Sequence, residues 1–174
     1  MEEMMSSLIL YSLMLLAVVL SVEKERKSLL EKLEIKKINL GKELKTAVVF
    51  LGILIAVSIL IQMVMVSLNF GEDLGQVTEV LKGADLGSLL VILTVASFIE
   101  EIFFRGYLQR KTNLLFASFI FAYFHIIYGS VSEIIGTFFL GIVLGKEYER
   151  TKNLFAPIIS HFFYNLLTIV LMFA

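Results

Sequence analysis

Long apolar runs alternate along this chain with short polar interruptions that are mostly basic. Six runs can be marked, at 4–22, 45–68, 86–108, 113–128, 130–146 and 154–173. A helix needs ~20 residues to cross ~30 Å of hydrocarbon, so the pattern predicts an all-α fold. More closely, it predicts a polytopic integral membrane helical bundle with about six transmembrane helices. The fourth and fifth runs are short for a span, which predicts that they pack inside the protein or in thinned bilayer. A five-span chain with those two runs as a re-entrant hairpin is the alternative. The first run follows Glu2 and Glu3 and precedes a charged stretch, so it reads as a retained span and not as a signal peptide.

The basic residues set a direction. Every Lys and Arg except Lys82 falls in the first, third or fifth connection between runs. By the preference of Lys and Arg for the cytoplasmic side, those connections are cytoplasmic and both termini lie outside the cytoplasm. The first connection, 23–45, carries Leu29, Leu30, Leu33 and Leu40 among its lysines. It reads equally as a helix lying on the membrane surface or as a solvated linker. Division at residue 85 gives two accessory helices with a basic connection (1–85) and a four-helix core (86–174). In the fifth run Gly141 and Gly145 form a small-xxx-small pair suited to close helix approach, and Gly136 reads as a third packing residue.

Composition sharpens the picture only where it excludes. The 58% apolar content and 18% charged content depart from soluble averages in the direction of a membrane protein. The absence of cysteine removes a disulfide framework, a thiolate nucleophile and any Cys-ligated metal. The basic residues sit at run ends, so nucleic acid is not an expected partner.

Against this background some side chains stand out. Glu100, Glu101 and Arg105 lie in the third run, His125 in the fourth, and His161 and Asn165 in the sixth. An ionisable group inside a span is costly unless paired or hydrated, so each is a functional candidate. Counting ~1.5 Å per residue from the nearest turn puts Glu100 and His125 ~18–20 Å deep, and His161 and Asn165 ~13 and ~20 Å deep. Glu101 and Arg105 are four apart and suited to pair, which leaves Glu100 as the carboxylate free for chemistry. His161 and Asn165 are also four apart and point into one cavity. Thr94, Ser97 and Tyr164 lie near enough to support the set.

A carboxylate beside an imidazole can hold and deprotonate water, and a second His with an Asn amide can donate to a developing oxyanion. That is the apparatus of hydrolysis. Glu100, His125 and His161 could instead ligate Zn²⁺ with one position open, although no HExxH helix is present. A metal-free site is the favoured expectation and zinc the alternative. A non-catalytic membrane binding or immunity protein, or a Glu/His proton or ion carrier, are the competing functions.

The residues also resemble a known family. EEIFFRG at 100–106 is similar to the EExxxR motif of the CAAX prenyl protease type II and bacteriocin-processing (CPBP, or Abi) intramembrane proteases. FAYFH at 121–125 is similar to that family's FxxxH motif, and HFFYN at 161–165 to its HxxxN motif. The resemblance covers about half the chain, from residue 86 to 170. It implies peptide-bond hydrolysis within a membrane, with Glu100 and His125 activating water, His161 and Asn165 holding the oxyanion, and Glu101 and Arg105 shaping the site. It further implies a membrane-associated or lipidated peptide substrate and a metal question open between glutamate-dependent and metalloprotease readings. The compact chain suggests a prokaryotic plasma membrane.

Overall fold

The computed structural model describes residues 2–25, 39–70 and 85–173. All regular structure among them is helical, in six rods. We number them α1 (Glu2–Glu25), α2 (Leu40–Ser67), α3 (Leu86–Glu100), α4 (Leu114–Phe124), α5 (Val131–Thr151) and α6 (Phe155–Phe173). α3 runs on without a break into a π-helical stretch, Glu101–Gln109, and α4 ends in a 3₁₀ turn, His125–Tyr128.

Helix starts follow the polar residues that interrupt the apolar runs. Asn39, Asp85, Asn113 and Ser130 each turn a side-chain oxygen back to a free backbone N–H of the first turn of α2, α3, α4 and α5. This is the N-cap bond that replaces the missing intrahelical acceptor. α5 stops at Lys152 and the 3₁₀ turn stops at Gly129, both in the left-handed region with φ 55° and 67°. Pro157 lies in the first turn of α6, where its missing N–H costs no helix bond.

Two boundaries differ from the sequence expectation. α2 begins at Leu40, so Lys42, Glu43 and Lys45 belong to a helix and not to the first connection. α5 runs past 146 to Thr151, because its charged last turn continues the helix and Glu147 turns inward to full burial. Residues 26–38, on which the surface-helix reading of the connection mostly rests, lie outside the described residues.

The distribution of side chains is the reverse of that in a water-soluble domain. Glu43, Glu100, Glu101, Arg105, Gln109, Glu147 and His161 are buried, while Val48, Ile59, Leu60, Met63, Val91, Leu115 and Phe119 stand on the outside. Charged groups are almost never buried in soluble proteins without a partner, and wide apolar surfaces there are rare. By length and composition, Leu40–Ser67 and Leu86–Gln109 can cross a membrane, and only a minor share of each apolar window is buried within the bundle. The other apolar helices, Ile9–Ser21, Leu114–Tyr128 and Phe155–Leu171, are shorter. α4 with its 3₁₀ turn is 15 residues, or ~22 Å, less than the hydrocarbon thickness.

Three apolar clusters hold the rods together. Met14, Phe104 and Phe121 join α1, α3 and α4; Leu54, Leu140 and Leu144 join α2 to α5; Tyr148 and Leu154 close the α5–α6 turn. Between them runs a polar layer.

Candidate functional site

The polar layer begins where α3 changes its winding. Glu100 is the last residue of the α form and Glu101 the first of the π form. In an α-helix, residues four apart drift ~40° around the axis at each step. The i→i+5 bonding of a π turn puts more residues in each turn and reduces that drift. Glu101, Arg105 and Gln109, four apart along this stretch, form a buried row.

Each member of the row meets a partner. Glu101 Oε2 lies 3.2 Å from Nε of Arg105, the pair predicted from the spacing. Arg105 Nη2 donates to the carbonyl of Gly141 at 3.2 Å, and Gln109 Nε2 donates to the carbonyl of Gly145 at 3.2 Å. The two glycines make these bonds possible. A Cβ on Gly145 would sit 2.2 Å from Leu114 Cδ1 and 2.7 Å from Gln109 Oε1, and one on Gly141 would sit 3.1 Å from Ser118 Cβ. The packing role expected of this pair is correct. Gly136 is a correction: a Cβ there would meet nothing within 4 Å, so no neighbour needs the space.

Arg105 is desolvated and held on several sides. Its guanidinium carbon stands 4.6 Å from the centre of the Phe121 ring, so an aromatic face supplies part of the stabilisation that water would give. Phe121 lies at the middle of the site. Its ring centre is 4.6 Å from that of His125 and 6.0 Å from that of His161.

His161 is clamped between the two glutamates. Nδ1 is 2.8 Å from Glu101 Oε1, and Nε2 is 3.8 Å from Glu100 Oε2. A carboxylate paired with Arg105 can only accept, so His161 donates through Nδ1 and presents Nε2 to Glu100. His125 is fixed in the same manner: Nδ1 donates to the carbonyl of Phe121 at 2.8 Å, which leaves Nε2 for other partners. Asn165 Nδ2 donates to Ser97 Oγ at 3.2 Å, tying α6 to α3. Tyr164 donates to Ser58 of α2 at 3.0 Å, and Thr94 bonds back to its own helix at the carbonyl of Leu90.

The structure thus brings Glu100, Glu101, Arg105 and His161 into one contact network. His125 joins it through Phe121, while Asn165 is tied to Ser97, whose hydroxyl bonds back to the Leu93 carbonyl of its own helix. Among the described residues no three His, Asp or Glu side chains lie close enough together to hold a metal ion.

Four participants escaped sequence reasoning. Gln109 extends the row, and its signal was there: Glu101, Arg105 and Gln109 recur at a period of four within an apolar run. Ser160 donates to Glu147 in full burial, one residue from His161. Ser58 comes from α2. Tyr11 of α1 donates its hydroxyl to Glu100 Oε1 at 3.1 Å, across 89 residues of sequence.

Comparison with known proteins follows the same stretch of chain. Residues 82–167 match the family model described as "Type II CAAX prenyl endopeptidase Rce1-like". Two curated proteins of Bacillus subtilis (strain 168) are similar. The "Uncharacterized protein YpbD" is 34% identical over 92 residues, covering 52% of this chain and 49% of that protein. The "Putative membrane peptidase YdiL" is 28% identical over 105 residues, covering 58% of this chain and 43% of that protein. The chain thus spans about half the length of these relatives or less. No solved structure matches it.

Proposed function

Because residues 82–167 match the Rce1-like type II CAAX prenyl endopeptidase family model, we propose that this chain is an intramembrane endopeptidase. It hydrolyses a peptide bond of a membrane-associated protein or peptide by direct attack of water. The observation that carries this reading is the placement of His161 between two adjacent glutamates with different partners.

Glu100 takes a proton from a water as its oxygen bonds to the scissile carbonyl carbon, with His125 assisting through Nε2. The carbonyl oxygen becomes an oxyanion, stabilised by the Asn165 amide and by Nε2–H of His161 in its doubly protonated form, both on one face of α6. The tetrahedral adduct then collapses: the C–N bond breaks, and the proton held by Glu100 passes to the leaving amine. Glu101 and Arg105 do not exchange protons with substrate. They hold the His161 ring and keep the site's shape. No metal is needed for these steps, and zinc remains the competing expectation.

One observation favours a second division of labour. His161, not His125, stands beside Glu100, with Nε2 turned to Oε2 at 3.8 Å. In that reading Glu100 and His161 handle the water's proton together and His125 serves the oxyanion. Double-mutant cycles separate the two. Losses at His161 and Asn165 are non-additive in the first reading; losses at His161 and Glu100 are non-additive in the second.

The decisive experiment is cleavage of lipidated and unlipidated CAAX-type peptides by purified protein, with and without chelator. Turnover that depends on Glu100 and survives chelator supports the reading. Activity lost in chelator and restored by zinc replaces the direct-water mechanism. A protein that binds peptide without cleaving it under any of these conditions is an immunity-type binder. In the orientation we propose, Asn113→Cys reacts with an impermeant thiol reagent only after the membrane is opened.

A further inference from the structure

We infer that Tyr11 is a positioning residue for Glu100, so that α1, outside the segment that matches the family, completes the site. The inference rests on the protease reading above and names a further component of the same site.

Geometry comes first. The Tyr11 hydroxyl lies 3.1 Å from Glu100 Oε1, while Oε2 of the same carboxylate faces Nε2 of His161 at 3.8 Å. The two oxygens thus have different assignments. The last torsion of a Glu side chain is broad and roughly two-fold, so a carboxylate held only by its stem rotates freely. A phenol bonded to one oxygen fixes the plane of the carboxylate and leaves the second oxygen aimed at the imidazole. That distinction matters for a base, which must receive a proton at one defined point.

Tyr11 is itself held in place. With Met14 and Val18 it forms a stripe at helical spacing, and the latter two are buried. Met14 packs on Phe104 and Phe121, with Leu10, Tyr11, Ile99 and Phe103 around them. Phe121 is the ring between the two histidines, and Phe104 precedes Arg105. α1 therefore rests on the residues that frame the site. The opposite face of α1, with Ile9, Leu13, Leu16 and Leu20, is exposed and apolar. A helix serving only to anchor the chain has no need to direct a phenol at Glu100.

Tyr11→Phe keeps the ring and its packing and removes only the hydroxyl. For the full chain in detergent, kcat on a cleaved peptide is expected to fall about 10- to 100-fold, the range for loss of a hydrogen bond to a charged group. KM and thermal midpoint are expected to stay as in the wild type. Tyr11→Leu is expected to lose the same kcat and also to lower the midpoint, since it removes the ring. Replacing Tyr11 by 3-fluorotyrosine restores the donor and is expected to restore kcat; its ¹⁹F resonance is expected to move on Glu100→Gln. A Tyr11→Phe protein with unchanged kcat, or one whose loss lies in KM, overturns the inference. So does a ¹⁹F signal indifferent to Glu100→Gln. If the wild type cleaves no peptide, the protease reading fails alone, and the ¹⁹F shift still decides whether Tyr11 positions Glu100.

Discussion

Glu100 and Glu101 are neighbours in sequence but belong to different regions of the molecule. Glu101 lies in the seam between α3 and α5, with no exposed surface. Its oxygens are taken by Arg105 and by Nδ1 of His161 at 3.2 and 2.8 Å, and the row it starts continues into two glycine carbonyls. Glu100 lies at the junction of α1, α3 and α6, at the margin of burial. It has one hydrogen bond to a phenol and a wider 3.8 Å approach to an imidazole. In the seam the polar groups are held by fixed partners, although Arg105 Nη1 donates no hydrogen bond. At the junction one acceptor is left turned towards a group that can carry a proton. A single change of helical winding separates the two, so one motif supplies both a structural carboxylate and a candidate reactive one.

The sharpest way to break this contrast is to neutralise each glutamate in turn. Glu100→Gln is expected to lower turnover by about 10²–10⁴ or more with no loss of thermal stability, because shape is kept and only the proton acceptor goes. Glu101→Gln is expected to destabilise by about 3–5 kcal/mol, since it leaves the Arg105 charge buried beside a neutral amide. Thermal unfolding in detergent, run alongside the cleavage assay, checks both. If Glu100→Gln unfolds the protein and Glu101→Gln does not, the two regions have been assigned the wrong way round.

The seam itself can be probed with one methyl group. Gly145→Ala places a Cβ against Leu114 and Gln109, and is expected to cost about 1–3 kcal/mol. Gly136→Ala, the same change two turns earlier on α5, meets open space. It is expected to be neutral or to raise stability by up to about 1 kcal/mol, the helix-propensity gain of Ala over Gly. Equal effects at the two sites would show that close approach is not what Gly145 provides.

Much of the architecture was legible because lipid-length apolar runs and their polar interruptions are strong local signals. Asn113 opens a run and Lys152 lies in the break between two runs, and in the fold they cap the start of α4 and the end of α5. The Glu101–Arg105 pair was legible because residues four apart meet on any helix. What escaped depends on contacts that no local pattern encodes. Tyr11 and Ser58 are ordinary polar residues in apolar helices, and only folding brings them to Glu100 and Tyr164. The π turn escaped because angles of ~100° per residue were assumed throughout. Gly136 was misjudged because three glycines on one helix look alike until a neighbour is placed beside two of them.

The bonds from the Arg105 guanidinium and the Gln109 amide to the Gly141 and Gly145 carbonyls bear on how the bundle can move. They act as rungs one helical turn apart. Sliding α3 along α5 by one turn would break both rungs together. Shear along that contact is therefore opposed by both bonds at once. The contact of α1 with Phe104 and Phe121 is of another kind, made through apolar side chains beside the phenol bond to Glu100.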